Sequence, residues 1–137
     1  MSRWPYRAAN NLGVERFRQG SLKDARQAFE LSLRANPAYA PALNNVGAIV
    51  QAEGRLAEAL GWYRRSAAAD PDYALARKNV AGALLDLGQP AAAEAEAKEA
   101  LRLHPQYRDA WLILAAAVSR QSRPAEARQA LEQAQRY

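Results

Sequence analysis

Residues 40–73 read APALNNVGAIVQAEGRLAEALGWYRRSAAADPDY, and the same grammar stands on either side of them. Pro71 has counterparts at Pro37 and Pro105, and each proline is followed two residues later by a tyrosine, Tyr39, Tyr73 and Tyr107. Glycine recurs at Gly20, Gly54 and Gly88, and alanine at Ala25, Ala59, Ala93 and Ala127. Every interval is 34 residues. Aligned without a gap, residues 6–39 and 40–73 share 11 identities, and residues 40–73 and 74–107 share 9. Four units follow: 6–39, 40–73, 74–107 and a shortened 108–137. A period of this length marks an architecture in which one supersecondary unit stacks on the next.

Each unit reads as two helices. In residues 40–73, Leu43, Val46, Gly47 and Val50 fall at i, i+3, i+4 and i+7, which is one helix face. Gly54 supplies the turn by taking a left-handed conformation at the helix end. Ala59, Tyr63, Ser66 and Ala67 form the matching face of the second helix, and Asp70-Pro71 ends it. Pro90 and Pro124 stand two positions after the turn residue, where a first helical turn accepts proline. Small residues mark the crossing points at Gly13, Gly47, Ala81 and Ala115, and Leu12, Val46, Val80 and Leu114 fill the seam.

Composition narrows the function. The chain has no cysteine and a single histidine, His104, so a thiolate site, a disulfide scaffold and a histidine-cluster metal site are excluded. No Gly-rich phosphate loop is present. Glu94, Glu96 and Glu99 are expected on a solvated convex face rather than in a catalytic pair. No metal, cofactor or small-molecule substrate is expected. No apolar run reaches the length of a membrane span. The start, Met1 to Pro5, has no apolar core of a secretory signal, so a cytoplasmic location is expected. The net charge of +5 is split between the ends, with +4 over residues 1–39 and +2 over residues 108–137. Arg16, Arg18 and Arg26 with Arg120, Arg123 and Arg128 are therefore a weak polyanion site, and nucleic acid is not the expected partner. The alanine and arginine usage points to a bacterial source with a GC-rich genome.

The pattern resembles the tetratricopeptide repeat (TPR), with its W-x2-L-G-x2-Y, A-x3-F and P positions. The first unit carries Leu12-Gly13, Ala25-x3-Phe29 and Pro37. The second carries Val46-Gly47-x2-Val50, Ala59-x3-Tyr63 and Pro71, and the third Val80-Ala81-x2-Leu84, Ala93-x3-Ala97 and Pro105. The fourth carries Trp111-x2-Leu114-Ala115-x2-Val118 and Ala127-x3-Leu131. Ala9, Arg16 and Arg77 depart from the apolar pattern. The resemblance implies an all-α, right-handed α-solenoid of four antiparallel helix-turn-helix repeats, forming one domain over residues 1–137. It places the first helix of each repeat on a concave groove that takes an extended peptide or partner segment.

On that register Asn11, Asn45 and Asn79 occupy one groove position in three repeats, like the asparagine ladder of the O-GlcNAc transferase repeats. Each amide can pair with both the N–H and the C=O of a peptide unit. Asn10 and Asn44 widen the polar strip. Val14 leaves room for a ligand, while Phe17, Leu85, Leu112 and Ile113 offer apolar contact. Arg7 and Lys78 add positive charge. The family's clamp for a C-terminal carboxylate is not expected: Asn10, Val14, Asn45, Leu75 and Asn79 stand at its positions, and only Asn45 matches. Trp111 is expected in the core and Trp62 partly exposed on the convex side. Trp4, Pro5 and Tyr6 are expected to cover the first repeat. The expected function is a non-enzymatic protein-interaction module, and the alternative is a scaffold that stacks or docks onto copies of itself.

Overall fold

A computed structural model describes residues 5–137 of the chain. Trp4, expected over the first repeat, and the residues before it lie outside that range. Eight helices run in order: α1 (Pro5–Arg18), α2 (Leu22–Ala35), α3 (Ala40–Ala52), α4 (Leu56–Ala69), α5 (Ala74–Asp86), α6 (Pro90–Leu103), α7 (Arg108–Arg120) and α8 (Pro124–Arg136). The described residues contain no strand.

The turns explain why the helices break where they do. Gly20, Gly54 and Gly88 sit at φ of 80°, 82° and 79°, a region that costs an L side chain energy and glycine nothing. Beyond each glycine the next N–H reaches back five residues, as in Ser21 to the Arg16 carbonyl (2.9 Å) and Arg55 to the Val50 carbonyl (3.1 Å). These bonds satisfy carbonyls that the helix end leaves free. In the fourth repeat Ser122 takes the same left-handed place at φ 61°, and Arg123 closes the same bond to Val118. The second helices stop at Ala35, Ala69 and Leu103, one residue before the Asn36-Pro37, Asp70-Pro71 and His104-Pro105 pairs. Pro90 and Pro124 open α6 and α8, where their missing N–H has no partner to lose.

The chain divides into two compact units, Met1–Asp70 and Pro71–Tyr137. In the first, α1 packs on α2, α3 on α4, and α2 on α3. Its core is Phe29, Leu43, Val46, Ile49, Val50 and Tyr63, all 2% exposed or less. In the second, α5 packs on α6, α7 on α8, and α6 and α5 on α7. That core is built mostly of alanine, Ala81, Ala97, Ala100, Ala110 and Ala115 among them, with Val80, Leu84, Leu114 and Val118.

The seam within the first three repeats obeys a size rule. A β-carbon built on Gly13 would overlap the Phe29 ring, and one on Gly47 would lie 2.7 Å from the Tyr63 ring. Where the partner shrinks to Ala97, the glycine position has become Ala81. Close-packed interiors trade volume in this way. A second link holds the helix pairs of the first unit: the buried Ser32 hydroxyl donates to the Tyr6 carbonyl (2.6 Å), and that of Ser66 to the Ala40 carbonyl (2.7 Å). The third and fourth repeats carry Ala100 and Ala134 there and lack this bond. Tyr6 itself stacks edge-on against Tyr39, with ring centroids 4.9 Å apart.

Several expectations are overturned. Leu12, expected to fill the seam, is 47% exposed, and the Phe29 ring lies against Gly13 instead. Glu94 is not on a solvated face but only 8% exposed, at the junction of α6, α7 and α8. Its carboxylate accepts from Arg123 (2.7 and 2.9 Å) and Gln121 (2.9 Å) and pairs with Lys98 (2.7 Å). Arg123 also binds Glu126. A buried carboxylate needs such partners, and Arg123 beside it holds the carboxyl down at about 2. Glu96 and Glu99, half-buried, pair instead with Arg77 (3.4 Å) and Arg102 (2.6 Å). Trp111 is half-buried rather than fully enclosed, and its indole N–H donates to the Pro105 carbonyl (2.8 Å).

Candidate interaction surface on the first helices

The asparagines stand where the 34-residue period puts them, in the second turn of α1, α3 and α5, but their surroundings differ. In the first unit Asn11 is exposed. Asn45 is half-buried, and its Nδ2 donates to the Oδ1 of Asn10 across α1 and α3 at 3.0 Å. Asn10 is only 6% exposed, so it orients Asn45 rather than widening an open strip. Asn44, at the equivalent position of α3, is likewise buried at 3%. Arg7 is exposed, and its guanidinium lies 5.4 Å from the Tyr6 ring centroid and 5.8 Å from that of Tyr39. Val14 and Phe17 are half-buried.

In the second unit Asn79 is half-buried and has a polar partner. Lys78 is half-buried as well, with its Nζ 4.0 Å from Asp109 and 6.0 Å from the Tyr107 ring centroid. The apolar residues separate into two groups. Leu112 is 40% exposed, while Leu85 is 7% exposed and packs inward. Ile113 is half-buried against the core, near Gly82. Arg120, on α7, sends Nη1 to the Leu85 carbonyl at 2.7 Å and so closes the end of α5.

In each unit the first helices therefore carry exposed or half-buried amides with a cation near an aromatic ring, Arg7 beside Tyr6 and Tyr39 in one and Lys78 beside Tyr107 in the other. Their chemistry is hydrogen bonding and mild positive charge. Among the described residues no group of His, Asp and Glu could hold a metal ion. None of the described helices is long and apolar enough to cross a membrane. The orienting role of Asn10 and the carbonyl bond of Arg120 were not visible in the sequence. Both depend on contacts between helices 35 residues apart, and nothing in local spacing signals them.

The sequence profile of the tetratricopeptide repeat family matches residues 6–74 and 81–137. No curated protein matches the chain. Solved structures do. The crystal structure of MamA is 17% identical and superposes with a TM-score of 0.84, over 96% of this chain and 77% of that one. PilF of Pseudomonas aeruginosa is 23% identical with a TM-score of 0.88, over 96% of this chain and 60% of that one. YrrB, described as a TPR protein with an unusual peptide-binding site, is 19% identical with a TM-score of 0.78, over 94% of this chain and 66% of that one. At these identities the likeness is one of fold, an α-solenoid of antiparallel helix pairs.

Proposed function

The chain belongs to the tetratricopeptide repeat family, and from that premise we propose that it is a non-catalytic interaction module that holds an extended segment of a partner protein against its first helices. Repeat arrays use such faces as extended binding surfaces. The observation that carries the proposal is the asparagine register: Asn11, Asn45 and Asn79 on α1, α3 and α5, with the Asn45 amide oriented by buried Asn10. Asparagine is a poor choice for a helix interior on propensity alone, and its amide can hold a peptide backbone without reading side chains. With its Nδ2 tied to Asn10, Asn45 presents its oxygen for a partner's backbone N–H. Exposed Leu112 and half-buried Phe17 offer apolar contact beside the amides, while Arg7 and Lys78 favour a mildly acidic segment. The peptide-binding site of YrrB lends the proposal support from a protein of the same fold. A cytoplasmic setting is part of the same proposal.

The test is a peptide array probed with the wild type and with an Asn11→Ala, Asn45→Ala, Asn79→Ala variant whose helicity matches by circular dichroism. Wild-type binding to a set of peptides, lost by about tenfold or more in the variant, supports the proposal. Equal binding by both proteins refutes it. Self-assembly has its own support in Leu12 and Leu31, 47% and 52% exposed on α1 and α2. Light scattering over a wide concentration range decides it, since a constant monomer mass removes that alternative.

A further inference from the structure

The second helices of the first unit hold a feature that the repeat does not require. Trp62 on α4 is half-buried at a position occupied by Ala28, Glu96 and Ala130 in the other repeats. The guanidinium of Arg65 stacks on its ring, 4.4 Å from the centroid. Position 65 is Leu31, Glu99 and Gln133 elsewhere, so this stack belongs to the second repeat alone. Packing of the solenoid explains neither side chain, because three repeats close without them.

Trp62 and Arg65 form one wall of an open hollow of about 410 Å³, completed by Glu30, Leu33, Arg34 and Pro37 of α2 and its turn. The apolar floor is therefore Trp62, Leu33 and Pro37, rimmed by two arginines. Charge is not balanced there. Glu30 is taken by Arg26 at 3.4 Å, and the neighbouring Glu58 by Arg55 at 2.8 Å. Arg34 and Arg65 make no ion pair among the described residues, whereas Arg18, Arg26 and Arg55 of the same unit do. A tryptophan with a stacked, unpaired arginine is also the composition favoured at energetic centres of protein interfaces.

We infer that this hollow between α2 and α4 is a second docking surface, for an acidic segment of a partner protein that carries one apolar anchor residue. The anchor lies on Trp62, Leu33 and Pro37, and flanking carboxylates meet Arg34 and Arg65. Guanidinium groups bind carboxylates through two parallel hydrogen bonds, and the Trp62 stack holds Arg65 in place for this. The surface is independent of the first-helix asparagines, so either can fail without the other.

The experiment uses a fluorescein-labelled acidic peptide with one central phenylalanine, followed by anisotropy. Its controls are the same peptide with serine for phenylalanine and a lysine-rich peptide. The proteins are the wild type, Trp62→Ala, Arg34→Glu with Arg65→Glu, and the triple asparagine variant. Saturable binding to the wild type that falls by about tenfold in both hollow variants, and is unchanged in the triple asparagine variant, supports the inference. The serine control binds more weakly and the lysine control not at all. No saturable binding to the wild type overturns it, as does equal binding in the hollow variants. Loss confined to the asparagine variant assigns the peptide to the first helices and overturns it too. Stronger binding of oligothymidine than of the acidic peptide would identify the hollow as a nucleic-acid site instead.

Discussion

At the scale of single residues, backbone conformation and volume decide. Ser122 holds a left-handed φ that the other three repeats give to glycine. A non-glycine residue there costs about 1 kcal/mol, part of which glycine returns through its freer unfolded chain. Ser122→Gly is therefore expected to stabilise the protein by about 0.5–1 kcal/mol. A higher urea midpoint with an unchanged slope would show it, and a lower midpoint would refute it. Gly47 poses the opposite problem. Alanine is the better helix former by about 0.5–1 kcal/mol, but its methyl would press on Tyr63, and overpacking costs about 1–3 kcal/mol. Gly47→Ala is expected to destabilise by about 1–2 kcal/mol, and Gly47→Ala with Tyr63→Leu to recover part of that loss. The glycine turns were legible in the sequence because a 34-residue period repeats them. Ser122 was not, since periodicity predicts where a turn falls and not which residue bears its strain. The size rule at the seam was only half legible: the small residues and Tyr63 on the facing helix were visible, but Leu12 was read as filling the seam where the Phe29 ring does so instead.

At the scale of elements, one polar network replaces apolar bulk. The second unit has an alanine-rich core, and α6 meets α8 through Glu94 and Arg123. The sequence placed Glu94 on a solvated face, because glutamates beside lysine on an alanine-rich helix normally face water. What overrides that rule lies 27 and 29 residues away, in Gln121 and Arg123. Glu94→Gln removes charge-assisted bonds worth about 1–3 kcal/mol and is expected to lower stability by that order at neutral pH. The pH dependence has a definite sign. Above the ordinary glutamate range, near 4.5, Glu94 is ionised in both folded and unfolded chains. Between there and about 2 the unfolded chain takes up the proton first, so stability falls as pH falls through this window. Acid denaturation of Glu94→Gln should lack that share of the slope. Equal slopes for the two proteins would mean that the carboxyl titrates normally. The serine tethers to the Tyr6 and Ala40 carbonyls were equally hidden, although Ser66 was already assigned to the buried face of α4.

At the scale of the whole molecule, the repeat was fully legible and its chemistry only partly so. Four copies of one helix pair follow from proline, glycine and alanine at a fixed interval, and the eight helices stand accordingly. The asparagine register came with that period. Which members of the proposed surface face solvent did not: Asn10, Asn44 and Leu85 are buried, while Asn11 and Leu112 are exposed. Burial depends on the neighbouring repeat, whose side chains the period does not fix. The two proposed surfaces differ in salt response. Amide contacts to a peptide backbone carry no net charge, so first-helix binding should weaken only modestly between about 0.05 and 0.5 M salt, through Arg7 and Lys78, whereas binding at Arg34 and Arg65 should weaken more steeply. A steep salt dependence of both would point to a polyanion partner.

The most direct measurement is a two-dimensional NMR titration of the side-chain amide groups with a peptide selected on the array. Shifts concentrated on the Nδ2 resonances of Asn11, Asn45 and Asn79, with little change at the Trp62 indole, are the predicted result. Unperturbed asparagine amides at saturating peptide would contradict the central claim that these residues hold the partner.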